Sequence, residues 1–374
     1  MNQPAQRFLS LDVFRGMTVC FMIIVNTAGY GAVPYAILEH ARWHGFTPTD
    51  LVFPSFLFAV GNAMSFTSKK YELMKTSDVL LKIFKRTAII FLLGFLLYWF
   101  PFFYRDETGH IALAPFSDTR ILGVLQRIAL CYCIASLMVY FLSTRTVIVL
   151  SAVFLLGYWA LLLIFGDPAD PLSMLGNAGL YLDKAILGES HMYHGEGVAF
   201  DPEGILSTLP SIVNVVIGYL TGMFIQKKGK GYETIAKLFF WGCILVLVAL
   251  CWNTVFPINK KLWSSSFVFM TCGLDLLLIG ALIYIIEVLS VDKWTRFFTV
   301  FGKNPLFIYL VSEVLLTIID TLFPGLHFNR WINENFYQVV APGPFGSFLF
   351  ALSFMLVCWL VGYILDRRKI YVRV

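Results

Sequence analysis

Charge is the scarcest feature of this chain. Asp, Glu, Lys and Arg make up 14% of its 374 residues, against 58% hydrophobic and 17% aromatic residues. A soluble domain is about a quarter charged, so soluble classes are excluded and the chain reads as a polytopic membrane protein. It also lacks a low-complexity tract, a short-period repeat and any nucleic-acid signature, so no nucleic-acid partner is expected. No cleavable signal is visible, because the first apolar run follows Arg7, Asp12 and Arg15 with no small-residue site closing it. The seven cysteines all lie in apolar runs. They read as small core residues, not as a disulfide framework or metal site, and no metal is expected.

What is present is a series of apolar runs. A spanning helix needs about 20 apolar residues. Candidate runs lie at 12–30, 51–68, 86–102, 120–142, 146–166, 208–225, 234–256, 264–288, 297–317 and 346–365. The expected fold is therefore all-α, with about ten transmembrane helices. With the N-terminus cytoplasmic, twenty lysines and arginines fall inside and seven outside, and Arg127 sits within a helix, which accounts for all 28. That bias predicts an N-in and C-in topology. The longest loop, 167–207, and all six histidines then fall outside or at the outer mouth. The loop's Tyr181, Leu182, Ile186, Leu187, Phe200 and Ile205 predict that it packs.

The stretch HARWHGFTPTDLVFPSFLF, from His40 to Phe58, is the centre of the chemical reading. His40, Trp43 and Asp50 stand where the chain turns apolar, and titratable groups at a helix mouth are costly unless paired or used. Histidine is the side chain suited to proton transfer near neutral pH. The bland alternative is an interfacial loop with a tryptophan anchor and a helix cap. SLDVFRG opens the first helix, where Asp12 and Arg15 either cap and pair or lie near an anionic ligand. Asn26 sits within the same helix, as interhelical glue or as a site residue.

Arg120, Gln126 and Arg127 sit in DTRILGVLQRIAL, with Arg127 expected about two turns into its helix. A buried arginine binds phosphate or carboxylate, or pairs with an acid such as Asp275. In FDPEG, Asp201 and Glu203 either cap the next helix, with Pro202 in its first turn, or grip a cationic amine. Asn259 and Lys260, in PINKKLW, and Lys303 and Asn304, in GKNP, are candidate anion contacts or plain turns. Glu313 falls at depth in the ninth run.

SLDVFRG, the Asn26 helix, HARWHGFTPTDLVFPSFLF, RILGVLQRIAL, GLYLDKAILGESHMYHGEGVAFDPEGILSTLPSI, PINKKLWSSSF and GKNPLFIYL occur in order over nearly the whole chain. Together they resemble the heparan-α-glucosaminide N-acetyltransferase family and its bacterial relatives. The family's animal member acetylates the terminal glucosamine amine of heparan fragments inside lysosomes, taking acetyl from cytosolic acetyl-CoA. The resemblance implies that His40 is the active-site histidine and Asn26 the first-helix asparagine. Two departures are His44, where the family often has Asn, and the lack of a large N-terminal lumenal segment.

The expected protein is thus a single transmembrane acyltransferase domain, 1–374, in a bacterial inner membrane. It takes acetyl-CoA as donor and an amino sugar as outer-side acceptor, with a homodimer as the oligomer the reading admits. His40 and Asn26 are the expected catalytic residues. Asp50, Trp43, Asp201, Glu203, Asn259 and Lys260 would hold the acceptor. Asp12, Arg15, Arg120, Gln126, Arg127, Lys303 and Asn304 would hold the donor. His40 acts either as base or as acyl carrier. The alternative is an amino-sugar transporter, with Asn26, Arg127 and Glu313 lining its path.

Overall fold

The computed structural model describes residues 8–27, 33–105, 110–322 and 328–372. Arg7, His327 and Arg373 lie outside the described residues. Among the described residues the chain is all-α apart from a two-stranded antiparallel hairpin, Phe103–Arg105 with Ile111–Leu113. The helices are α1 Leu9–Thr27, α2 Pro48–Tyr71, α3 Thr76–Trp99, α4 Val124–Phe141, α5 Thr144–Phe165, α6 Ala178–Ile186, α7 Thr208–Lys228, α8 Tyr232–Trp252, α9 Ser265–Leu282 continued by a π-turn to Val288, α10 Thr295–Lys303, α11 Pro305–Leu322, α12 Phe328–Ile332, α13 Gln338–Val340 and α14 Pro344–Arg367.

Among the described residues, eight helices are long and apolar enough to cross a membrane, and α10 with α11 makes a ninth span bent by 83°. The chain is a multi-pass membrane protein. The tenth run, 86–102, belongs to α3, whose 24 residues are also long enough to cross. Lys82, Lys85 and Arg86 in its first half set it apart from the other spans. The bend falls at GKNP, so this motif is an elbow inside the ninth run. Pro305 lacks the N–H that would continue the helical ladder.

Two helix pairs place the site. α2 packs along α7, and α8 packs along α9. The α2–α7 contact depends on glycine: a Cβ on Gly61 would strike the Val215 carbonyl, and one on Gly218 the Phe58 carbonyl. Small residues at such crossings let backbones approach closely. The core runs through Phe14, Leu57, Phe58, Ile212 and Val215, all at most 1% exposed. Cys243 and Cys251 depart from expectation, being exposed on α8 rather than core.

The 167–207 loop packs through Phe200, whereas Tyr181 and Ile186, also expected to pack it, are exposed. It contains α6, and Leu180, Met192 and Phe200 form a small core beneath Trp43. The helix after FDPEG starts at Thr208, so Asp201 and Glu203 do not cap it; they sit in a turn closed by Gly204 N–H on the Asp201 carbonyl.

Gly218→Val is expected to destabilise the purified protein by about 1–3 kcal/mol through overpacking, read as a lowered unfolding temperature in detergent. Gly157→Val, where a Cβ meets nothing within 4 Å, should leave that temperature near the parent's; equal losses would contradict the close-contact account.

Candidate active site

Thr47 and Pro48 start α2, and Asp50 in its first turn closes a capping box with Thr47. The Asp50 carboxylate is fully buried. Its Oδ2 accepts the Thr47 N–H at 2.9 Å and the Ala41 N–H at 3.2 Å. Its Oδ1 lies 2.7 Å from His40 Nδ1. One residue therefore caps the helix and orients the imidazole. A carboxylate accepts only, so the network assigns the ring hydrogen to Nδ1 and leaves the lone pair on Nε2. The His40 side chain is 41% exposed, so Nε2 is reachable.

Lys260 completes this arrangement from the 253–264 loop. Its Nζ is 3.2 Å from His40 Nδ1 and 2.9 Å from Nε2. In the ring plane, a position close to both nitrogens would fall on Cε1. The ammonium therefore lies over the face of the ring and leaves the in-plane lone pair of Nε2 open. Burial holds His40 below the ordinary imidazole pKa; the Asp50 hydrogen bond opposes this and Lys260 adds to it. Burial also lowers the Lys260 ammonium, with Glu203 and Asp50 pulling it back up.

Three loops converge here because their polar groups satisfy one another. Gly45, at φ 122°, donates its N–H to the Ile258 carbonyl at 2.8 Å, a backbone conformation that favours glycine. Asn259 Nδ2 is 3.3 Å from His44 Nδ1, and Asn259 Oδ1 accepts the Leu262 N–H at 2.8 Å. Lys261 binds the Arg42 carbonyl and pairs with Glu196. Trp43 donates Nε1–H to the Leu172 carbonyl at 3.0 Å, and its ring meets Phe200 edge-on. Trp43 and Asn259 thus brace the loops around His40.

Arg120, Asp201 and Glu203 form a second cluster. Arg120 donates to both Asp201 oxygens, at 3.1 and 2.6 Å, and to Glu203 at 2.7 Å. Its guanidinium lies over the rings of Tyr98 and Tyr193. Burial pushes both carboxyls up. Asp201 stays raised despite its bond to Arg120, whereas Arg120, Arg127 and Lys260 together hold Glu203 down. Glu203 is thus a negative charge that acts on Lys260, joining this cluster electrostatically to the His40 group. Arg120 sits with the acids expected to hold the acceptor, not with the inner-end cations.

The other candidates lie elsewhere. Arg127 is in the first turn of α4, not two turns in. It donates to Ser211 at 3.0 Å, to the Gly204 carbonyl at 2.8 Å and to Ser207, and stacks on Trp263. Asp275 instead accepts from Ser55, so the alternative Arg127–Asp275 pair does not form. Both polar atoms of Gln126 and the Arg127 Nε are buried without partners. Asn26, in the last described turn of α1, donates to Glu313 at 3.1 Å, joining α1 to α11 rather than orienting His40. Asp12 and Arg15 pair at 3.2 Å, and Arg15 also binds the Gly302 carbonyl. Lys303 pairs with Asp366, while Asn304 binds the backbone of Ile370 and Val372. These four tie α1, α10 and the C-terminal segment together.

Sequence reasoning missed the Lys260–His40 contact, the Glu196 partner of Lys261 and Tyr98 beneath Arg120. Two outer lysines against the positive-inside bias were the available signal for the first.

No family model matches the chain. It is 27% identical over 421 aligned residues to heparan-alpha-glucosaminide N-acetyltransferase of Homo sapiens, covering 98% of this chain and 59% of that protein. It is 28% identical over 374 residues to the Mus musculus protein of the same name, covering 84% and 54% respectively. The chain thus spans just over half the length of the curated relatives it matches. Over most of its length the chain is thus similar to the heparan-α-glucosaminide N-acetyltransferases of these two organisms.

Proposed function

We propose that this protein is a membrane acetyltransferase that moves an acetyl group from acetyl-CoA to the amine of a glucosamine-type sugar. The observation that carries the reading is His40: Nδ1 held by buried Asp50, a cation over the ring face, and Nε2 open. That is the arrangement of a neutral general base. The relatives' name supplies the acetyl group and the amino sugar.

An amino sugar arrives largely as its ammonium. His40 Nε2 takes a proton from that nitrogen, whose lone pair then attacks the thioester carbonyl. The N–C bond forms and the C–S bond breaks; the CoA thiolate leaves with the proton returned from His40, and the nitrogen gives its second surplus proton to water, so that a neutral amide, a thiol and one released proton result. Asp50 steadies the imidazolium between these transfers. Tyr193 and Trp43 offer ring faces for the sugar. The acceptor approaches from the outer side and acetyl-CoA from the cytoplasm. With α3 counted as a tenth span both termini are cytoplasmic, and the membrane proposed is the bacterial inner membrane.

The direct test is mass spectrometry of glucosamine and its oligomers after incubation with acetyl-CoA and protein in vesicles. An amine acceptor heavier by one acetyl group supports transfer; unmodified sugar crossing the bilayer would replace it with transport. His40→Ala should lower the rate by roughly 10²–10⁴-fold, the usual contribution of a positioned acid–base group. His44→Ala should be much milder, and the reverse order would mean the wrong histidine. Single cysteines at Ser190 and Lys228 should react with impermeant reagents from opposite faces; labelling from one face would sink the topology.

The pH dependence follows from the His40 shift. Its folded pKa is depressed, so the base form appears as pH rises through a value below the ordinary ~6.5. Turnover with bound acceptor should rise through that window. Lys260→Met removes a cation that disfavours imidazolium, so the acid limb should move to higher pH. An unmoved limb would show that Lys260 does not set the base.

A further inference from the structure

α2 ends about 30 Å from Asp50 at its rise per residue, and a second cavity lies there, remote from the His40 site. Its volume is about 160 Å³, and its walls include Thr67, Ser68, Tyr71, Arg86, Tyr132 and Ser136. A single water needs roughly 10–15 Å³ of such space, so the cavity takes a polyatomic group. Arg86 is its organising residue. The guanidinium lies over the Tyr132 ring, 4.6 Å from the centroid. Its Nε is buried with no hydrogen-bond partner, and among the described residues no carboxylate pairs with it.

A guanidinium donates in its own plane. With Tyr132 against the guanidinium carbon and Nε unpartnered beside the cavity, the N–H donors of Arg86 are available to an oxyanion. Lys69 and Lys70 stand in the last turn of α2, and Lys82 lies one turn before Arg86 on α3. One exposed acid, Glu72, lies at the rim. Such an excess of cations suits a multiply charged anion more than a single carboxylate. The hydroxyl of Thr67 supplies a further donor to its oxygens, those of Ser68 and Ser136 being turned to the Ser65 carbonyl and Met64 Sδ.

We propose that this cavity is a binding site for a phosphate group, anchored by the donor edge of Arg86. The phosphate belongs either to a soluble nucleotide or to a lipid headgroup. The site differs from the expected donor residues Asp12, Arg15, Lys303 and Asn304, all of which have protein partners. Because the readout is binding, the inference stands or falls apart from the acetyltransferase reading.

The test uses the full chain in two arms. Detergent-purified protein is titrated calorimetrically with adenosine 3′,5′-bisphosphate. Protein in phosphatidylcholine nanodiscs, with and without phosphatidylglycerol, is followed by thermal unfolding. Arg86→Gln should weaken the responding arm by roughly tenfold or more, as loss of charged hydrogen bonds does. Arg86→Lys, which keeps the charge and loses the fork, should fall between. Lys85→Gln, on the exposed face of α3, should stay near the parent. A response to bisphosphate alone supports a nucleotide, and a response to phosphatidylglycerol alone supports a lipid. No response in either arm, or equal losses in Arg86→Gln and Lys85→Gln, overturns the proposal.

Discussion

The hydrogen bond between Asp50 and His40 is the contact on which the site depends. Asp50 is fully buried at 0% side-chain exposure, and a buried carboxylate is costly unless its lone pairs are used. Here they accept from Thr47, Ala41 and His40. Helix start, loop path and imidazole orientation are consequently one arrangement. Removing the carboxylate would unfasten all three, while removing the imidazole would leave α2 capped.

Two layers of support hold this contact. Below it, α2 lies against α7 because Gly61 and Gly218 carry no side chain at the crossing. Above it, Gly45, Asn259, Lys261 and Trp43 close the loops over one another. Arg120 holds Asp201 and Glu203 in place, and the Glu203 charge reaches Lys260. This side of the site is therefore built from groups that satisfy one another, as electrostatic preorganisation requires.

Much of this was legible in the sequence because membrane helices are written in long apolar runs. The run 297–317 showed the limit: hydropathy does not register an 83° bend, although Pro305 marked its place. His40 and Asp50 were legible because polar groups at a helix mouth stand out. Their pairing across ten positions was not, since it depends on the loop path. Asp201 and Glu203 read as helix caps or as a grip on a cationic amine, and the fold instead brings them to Arg120, some eighty residues earlier. Lys303 and Asn304 read as anion contacts, and the fold gives them to Asp366 and to the backbone of Ile370 and Val372.

The central claim is that His40 is a neutral base with its hydrogen on Nδ1. Nitrogen-15 NMR of histidine-labelled protein in nanodiscs, with His40 assigned by substitution, reads this directly. The account predicts one protonated Nδ1 and one bare Nε2 at neutral pH, with the second proton added only below the ordinary imidazole value of about 6.5. An imidazolium at neutral pH, or a neutral ring with its hydrogen on Nε2, would contradict it.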